Sequence, residues 1–270
     1  MSEYLNRTLI TLIPKCSNPK SLSNYRPISL CNTVYKVVTK MIVARIWPML
    51  SNLASPYQTA FVPSHKGVDN VVLVQELIHS MSKKKGRGGL VAIKIDLEKA
   101  YDRLEWSFIR DTLSLFKFPS QLISLIMSCV STSSISVLFN SGALEPFLPL
   151  RGIRQGDPLS PYLFILCMEV LGVLITEKCD AKLWDLVRAS RGGLAFSHLF
   201  LWMILSCLQK RIGKIVWPFE MLLTFSALFR AKKLVMRNPE HSFSPNVNAD
   251  SRAEFVKFWV LGPPRPWGSI

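Results

Sequence analysis

The stretch that most constrains the fold is an apolar run that ends in a carboxylate, Val91-Ala92-Ile93-Lys94-Ile95-Asp96-Leu97. Branched apolar residues in a short run read as a buried strand, because they pack well on a pleated surface. A carboxylate at the end of such a strand is costly unless it is paired or binds a cation. Asp96 is therefore either a turn or cap residue or a site residue. After it come a helical pattern from Trp106 to Phe116, alternating Ile135, Val137 and Phe139, and a turn at Asn140-Ser141-Gly142. A short strand near Phe147 and a long helix after Asp157 complete the series. Strands alternating with helices in this order predict an α/β (α+β) fold, a split βαβ sheet with helices on one face.

Upstream, Asn32 or Thr33 can cap a helix whose apolar positions Val34, Val37, Val38, Met41, Ile42, Ile46 and Leu50 recur at helical spacing. Lys36, Lys40 and Arg45 lie off that stripe and give the helix a basic face. A second helical pattern starts near Asp69 and carries Val71, Val72, Val74, Leu77, Ile78 and Met81. The run Lys83-Lys84-Lys85-Gly86-Arg87-Gly88-Gly89 then marks a loop and a boundary between two subdomains.

The balance of 33 Lys+Arg against 18 Asp+Glu, a net charge of +15, attracts polyanions and makes nucleic acid the natural partner. A hydrophobic fraction of 49% is ample for a buried core and argues against disorder as the dominant state. The six cysteines are scattered without a C-x-x-C pair, against a zinc module or disulfide framework and for reduced thiols in the cytosol or nucleus. The first residues show no secretory signal. Leu159 to Ile175 is at the short limit for spanning a bilayer and contains Glu169, so it reads as a buried helix with no membrane role.

The other informative segment is Arg151-Gly152-Ile153-Arg154-Gln155-Gly156-Asp157-Pro158-Leu159-Ser160-Pro161. Its glycines allow close backbone approach, Gln155 can hydrogen-bond a base or sugar edge, and Arg151 and Arg154 can face phosphates. The same residues also read as a helix start, with Asp157 as N-cap and Pro158 in the first helical position.

These two blocks, with Asn24-Tyr25-Arg26-Pro27-Ile28-Ser29-Leu30 and Gln58-Thr59-Ala60-Phe61-Val62-Pro63 before them, occur in an order and spacing that resembles a known family. From about Leu9 to Phe200 the chain resembles the reverse transcriptase of plant LINE-type (non-LTR) retrotransposons. The resemblance implies polymerase fingers over 1–85 and an incomplete palm over 86–200. It implies an RNA template, a DNA primer and a dNTP as partners, and Mg²⁺ or Mn²⁺ as cofactor, held as two cations about 4 Å apart. Asp96 matches the first catalytic, metal-binding aspartate, and the backbone carbonyl of Leu97 would add a metal ligand. Tyr101 matches the aromatic under the incoming sugar, and it is also a residue expected in core packing. Asp102 and Glu98 are auxiliary, and Asp102 can equally cap the following helix. Arg26 matches the arginine that clamps the triphosphate, with Lys15 its companion. Gln155 and Gly156 inherit nucleotide contacts, and Arg151 and Arg154 inherit template contacts. Ser64-His65-Lys66-Gly67-Val68-Asp69-Asn70 departs from the family's usual Gly-Arg-x-Ile-x-Asp-Asn.

The family's second source of carboxylates, an aromatic-X-Asp-Asp hairpin, is missing. Gly192 to Phe200 resembles the strand that leads into it, yet the chain continues Leu201-Trp202-Met203-Ile204 and has no Asp until Asp250. Trp is encoded only by TGG, Met only by ATG, and every Ile codon begins AT, so residues 202–204 are written TGGATGAT. Read one base earlier, those bases give a codon ending TG followed by GAT and GAT: Val, Leu or Met, then Asp-Asp. Residues 205–210 permit Leu-Val-Leu-Phe-Ala-Lys in the same frame. The expectation is a base lost near the codons of Phe200 and Leu201, with 201–270 an out-of-frame tail assigned to no domain. The expected function is an ancestral RNA-directed DNA polymerase, inactive as written. A maturase-like RNA-binding module without catalysis and a non-functional relic are the alternatives, and the sequence leaves the oligomeric state open.

Overall fold

The computed structural model describes residues 3–63, 65–83, 90–97, 99–140, 142–182, 186–188, 195–201, 204–210, 234–237 and 256–261. In chain order these form β1 (Arg7–Pro14), β2 (Tyr25–Cys31), α1 (Thr33–Leu53), α2 (Gly67–Lys83), β3 (Leu90–Leu97), α3 (Ala100–Arg103), α4 (Trp106–Leu115) and α5 (Ser120–Ser131). They continue with β4 (Ser134–Phe139), β5 (Gly142–Ala143), α6 (Ser160–Asp180), β6 (Val187–Arg188), β7 (Ala195–Phe196), β8 (His198–Leu201), β9 (Ile204–Lys210), β10 (Leu234–Arg237) and β11 (Val256–Leu261). The fold is mixed α/β. It divides into two compact units that interleave along the chain: Met1–Leu53 with Ala100–Met168, and Ala54–Lys99 with Glu169–Ile270.

The first unit is built on a four-stranded sheet of order β2-β1-β4-β5. β1 and β2 form an antiparallel pair running from Thr8 opposite Cys31 to Pro14 opposite Tyr25, and β1 pairs with β4 in parallel. Asn32 caps α1 as expected: its side-chain oxygen accepts from the Val34 N–H at 2.9 Å and its carbonyl from Lys36. The core face of α1 differs from the expected stripe. Tyr35, Thr39, Ile42, Ile46 and Leu50 are buried, while Val34, Val37 and Met41 are exposed. Apolar residues occur on both sides of this helix, and a polar cluster around Tyr35, described below, decides which side turns inward.

Helix α6 starts later than the sequence suggested. Asp157 is not its N-cap; the first helical residue is Ser160, and the Leu159 carbonyl accepts from Tyr162 and Leu163. The Asp157 carboxylate instead accepts from the Leu159 N–H at 3.0 Å and is engaged on its other oxygen elsewhere. Likewise the cap position of α4 is Glu105, not Asp102, which sits within α3. The apolar run in α6 is buried as expected, with Leu163, Phe164, Leu166, Cys167, Leu171 and Ile175 all inside. Among the described residues no helix is long and apolar enough to cross a membrane.

The second unit is built on a five-stranded sheet of order β10-β11-β3-β9-β8, with β3 central and antiparallel to both neighbours. The free edge of β8 is covered by the Gln58 segment. Gln58 bridges Phe200 in parallel, the Phe200 N–H donates to the Tyr57 carbonyl at 3.0 Å, and the Asn70 side chain donates to both the Tyr57 and Phe200 carbonyls. Covering an edge in this way blocks pairing with foreign strands. Leu77, Val187, Phe196 and Leu199 form the apolar centre beneath, with Tyr57, Leu73 and Val74 packed against it.

Candidate nucleotide and template site

The turn-rich segment 151–160 is held to its own unit along most of its length. The Gly152 N–H donates to the Leu104 carbonyl and the Ile153 N–H to the Tyr101 carbonyl, both at 2.8 Å. The Trp106 indole donates to the Gly152 carbonyl at 2.8 Å, and the Ser29 N–H donates to the Gln155 carbonyl at 2.7 Å. Gly152 and Gly156 have φ of +89° and +101°, in the left-handed region that other residues rarely enter. A Cβ at Gly152 would lie 2.9 Å from the Asp102 carbonyl oxygen, and one at Gly156 would lie 2.9 Å from that of Ser29. The glycines are required by the protein's own backbone, which passes within contact on both sides.

Arg154 has a different position from the one expected of a template contact. Its side chain is only 6% exposed, because the guanidinium points into the unit. One terminal nitrogen donates to Asn6 Oδ1 and Thr8 Oγ1, both at 2.8 Å, and the other to the Cys129 carbonyl at 3.0 Å. That second nitrogen also pairs with Asp157 Oδ2 at 3.4 Å. The group lies 4.2 Å from the centre of the Tyr35 ring, and the Tyr35 hydroxyl donates to Asp157 Oδ2 at 2.6 Å. Burial first, and the Asp157 charge second, push the Tyr35 hydroxyl well above its usual range, so it stays protonated and donates. Arg154 is thus a buried fastener joining β1, α1, the end of α5 and the segment before α6. The sequence concealed this because its partners Asn6, Thr8 and Tyr35 are far away in the chain; the one local sign was the opposite charge three residues on, at Asp157.

The remaining candidates of this unit are more open. Arg26 is exposed on β2 opposite Ile13, and Lys15 is exposed just past β1, where its ammonium donates to the Ser23 carbonyl at 2.9 Å. The hydrogen bond from Ser29 to Gln155 ties the strand that carries Arg26 to the segment that carries Gln155 and Gly156. Arg151 is exposed and pairs with Glu105 at 3.4 Å, a contact of small energetic weight. Tyr101 is half-buried and stacks on Phe164, with ring centres 5.1 Å apart and planes 17° from parallel, and burial pushes its hydroxyl up to about 12.

Asp96 belongs to the second unit. It is next to last in β3, where its register partners are Ile204 on β9 and Lys257 on β11. β8 and β9 form a hairpin in which Leu201 pairs with Ile204, so Leu201, Ile204 and Asp96 occupy one cross-strand row. Glu98, Trp202, Met203, Glu220 and Asp250 lie outside the described residues, as do the Lys84 to Gly89 run and the segments 243–247 and 267–270. Among the described residues no three His, Cys, Asp or Glu side chains come together as a metal site. A pair of hard divalent cations needs several carboxylate oxygens, and a row of Leu201, Ile204 and Asp96 supplies one carboxylate.

Sequence reading missed a buried polar group on the hairpin itself. His198 on β8 is fully buried between the rings of Tyr57 and Phe200, at 4.7 and 5.1 Å, with Nδ1 in contact with the Ser197 hydroxyl at 2.8 Å. Desolvation pushes its pKa down to about 4, so the ring is neutral near pH 7. Glu169 on α6 is also buried and accepts from the Ser55 N–H at 3.0 Å, and burial raises its pKa against the opposing effect of those hydrogen bonds.

One unit carries a turn-rich loop fastened beside a strand with an exposed arginine, and the other a strand that ends Asp96-Leu97 beside a hairpin. Residues 13–190 match the family model for reverse transcriptase (RNA-dependent DNA polymerase), about two thirds of the chain, and the chain belongs to that family. It is 31% identical over 172 residues to the uncharacterised 149 kDa protein of transposon TX1 from Xenopus laevis, covering 64% of this chain and 13% of that protein. It is 29% identical over 175 residues to the Pol polyprotein of the R2DM retrotransposable element from Drosophila melanogaster, covering 65% and 16%. An uncharacterised mitochondrial protein of Arabidopsis thaliana is 49% identical over 51 residues, 19% of this chain and 42% of that one. The chain therefore spans less than a fifth of the length of the first two relatives. Among solved structures, apo telomerase from Candida tropicalis superposes with a TM-score of 0.55 at 14% identity, covering 84% of this chain and 42% of that one. Telomerase from Candida albicans gives 0.53 at 15%, covering 83% and 39%. These likenesses agree with a polymerase fingers and palm fold.

Proposed function

We propose that this chain is a reverse transcriptase domain of a plant non-LTR retrotransposon that keeps the parts for gripping template and nucleotide but lacks those for polymerisation. The ancestral reaction is RNA-directed DNA synthesis, nucleotidyl transfer from a dNTP onto a DNA primer. Arg26 and Lys15 contact the triphosphate, Tyr101, Gln155 and Gly156 the nucleotide, and Arg151 the template phosphates. Arg154 acts on the template through the loop it holds. The Arabidopsis match supports the plant assignment.

The observation that carries the reading is the cross-strand row of Leu201, Ile204 and Asp96. The codons that force GATGAT in the neighbouring frame are those of residues 202–204, between and at the paired positions of the hairpin beside Asp96. An aspartate pair written there would stand within a residue or so of the register partner of Asp96. The gene lost a base just upstream, and the protein kept apolar strands where carboxylates were encoded. The first carboxylate, Asp96, with the Leu97 carbonyl, remains as the unpaired half of a site for Mg²⁺ or Mn²⁺.

The test is RNA binding and nucleotide incorporation measured on the same purified protein. The reading expects sequence-tolerant RNA binding that weakens steeply with salt, since seven Lys and Arg against one Glu occupy residues 1–53, and no incorporation. Binding that persists unchanged at high salt would count against it. The genomic bases across codons 199–206 check the frame: one inserted base should give Asp-Asp followed by a family-like strand, and any other continuation refutes the lost base.

A further inference from the structure

Helix α1 is apolar on two opposite sides, and among the described residues only one is covered. At about 100° per residue, the buried Tyr35, Thr39, Ile42, Ile46 and Leu50 share one stripe. Val34, Val37, Met41 and Ala44 run along the far side, spaced three, four and three residues apart. Val34, Val37 and Met41 are 51%, 53% and 57% exposed, and Ala44 is exposed as well. Single exposed apolar residues are ordinary, but a continuous apolar ridge opposite the buried stripe of a helix is the mark of a surface that becomes covered.

The spacing is that of a helix-pairing seam, with Val34 and Met41 at a positions and Val37 and Ala44 at d positions. The flanks of that seam are Thr33 and Lys40 at g and Val38 and Arg45 at e, one exposed cation on each side in the second heptad. No Asp or Glu occurs anywhere in Thr33–Leu53. Pro48, at the next a position, ends the regular seam after two heptads. We infer that this face of α1 docks an acidic amphipathic helix, a partner with apolar residues along its seam and carboxylates on both flanks.

The charges decide against the other occupants. A second copy of α1 would set cations against cations on the flanks, the like-charge arrangement that coiled coils use to reject a partner. A nucleic-acid surface needs donors on its crest to meet phosphates, whereas the crest here is Val, Val, Met and Ala, with the cations on the shoulders. The inference concerns a surface separate from the polymerase reading and stands without it.

The experiment titrates the full chain with a fluorescent synthetic peptide of three heptads, Leu at a and d and Glu at e and g, beside a twin carrying Lys at e and g. Saturable binding of the Glu peptide, at least tenfold tighter than the Lys twin, is expected. Val37→Asn and Met41→Asn, neutral changes at exposed positions, should each weaken it several-fold without moving the melting temperature or RNA affinity. Lys40→Glu combined with Arg45→Glu should reverse the preference between the peptides. Equal binding of both peptides, or none, overturns the proposal. So does a loss of RNA or anionic-vesicle binding in the Asn variants without peptide binding, which would give the ridge to that partner instead.

Discussion

The loop 151–160 and the β3, β8, β9 region are held by different kinds of force. The loop depends on particular side chains: two glycines at φ near +90° to +101°, a buried Arg154 with four hydrogen bonds, and an Asp157 that accepts from Tyr35 and Leu159. The strands depend on backbone ladders and on apolar residues, which many sequences supply. A hairpin can therefore keep its register through many substitutions, whereas the loop depends on Arg154 and Gly156 for its shape.

That contrast is most exposed to attack at Asp157. Asp157→Ala leaves the Arg154 guanidinium buried beside Tyr35 without its carboxylate, and breaking a buried pair from one side costs about 3–5 kcal/mol. Denaturant unfolding should show that loss, and a loss under 1 kcal/mol would mean the loop is not fastened as described. The second handle is acid. The His198 pKa is depressed to about 4 from an unfolded value near 6.5, so its contribution is complete above pH 6.5 and is lost as pH falls through 4. The limit is roughly 3 kcal/mol by the linkage between pKa and stability. Glu169, raised by burial, works in the opposite sense, so the comparison is between wild type and His198→Gln. The variant should show a flatter decline between pH 6.5 and 4, and parallel curves would contradict the assignment.

Smaller effects sharpen the same contrast. Gly156→Ala must put a methyl 2.9 Å from the Ser29 carbonyl oxygen at a φ of +101°, for a cost of about 1–3 kcal/mol. It should also weaken nucleotide or RNA binding, because Ser29 and Gln155 are bonded across that contact. Arg26→Ala, at an exposed strand position, should leave stability within about 0.5 kcal/mol and lower the salt slope of RNA binding by about one. Substitutions in the Lys83 to Lys85 run should change RNA binding less than Arg26→Ala does.

Much of this was legible in the sequence. The strand before Asp96, the helix from Trp106 and the long buried helix through Glu169 follow from apolar spacing, which is a local property. The glycines of the loop also announced themselves, since their close approach is a backbone requirement. Arg154 did not, because a cation beside a glycine-rich turn looks the same whether it faces a phosphate or Asn6 and Thr8, more than 140 residues away in the chain. For the same reason the inward side of α1 was only partly legible: Ile42, Ile46 and Leu50 are buried as expected, but Tyr35 and Thr39 take core positions because polar partners await Tyr35, while hydropathy ranks Val34 and Val37 above them. The role of Asn70 was not legible, since it acts through contacts with segments distant in sequence.

The central claim, that the chain keeps one half of a polymerase centre and lacks the other, is tested most directly by primer extension. Purified protein is mixed with an RNA template, an annealed DNA primer, four dNTPs and Mg²⁺ or Mn²⁺, beside the Asp96→Asn variant. The prediction is no extended product above background from either protein, since one aspartate beside Leu201 and Ile204 cannot organise two cations. Extension by the wild type that disappears in Asp96→Asn would contradict the account.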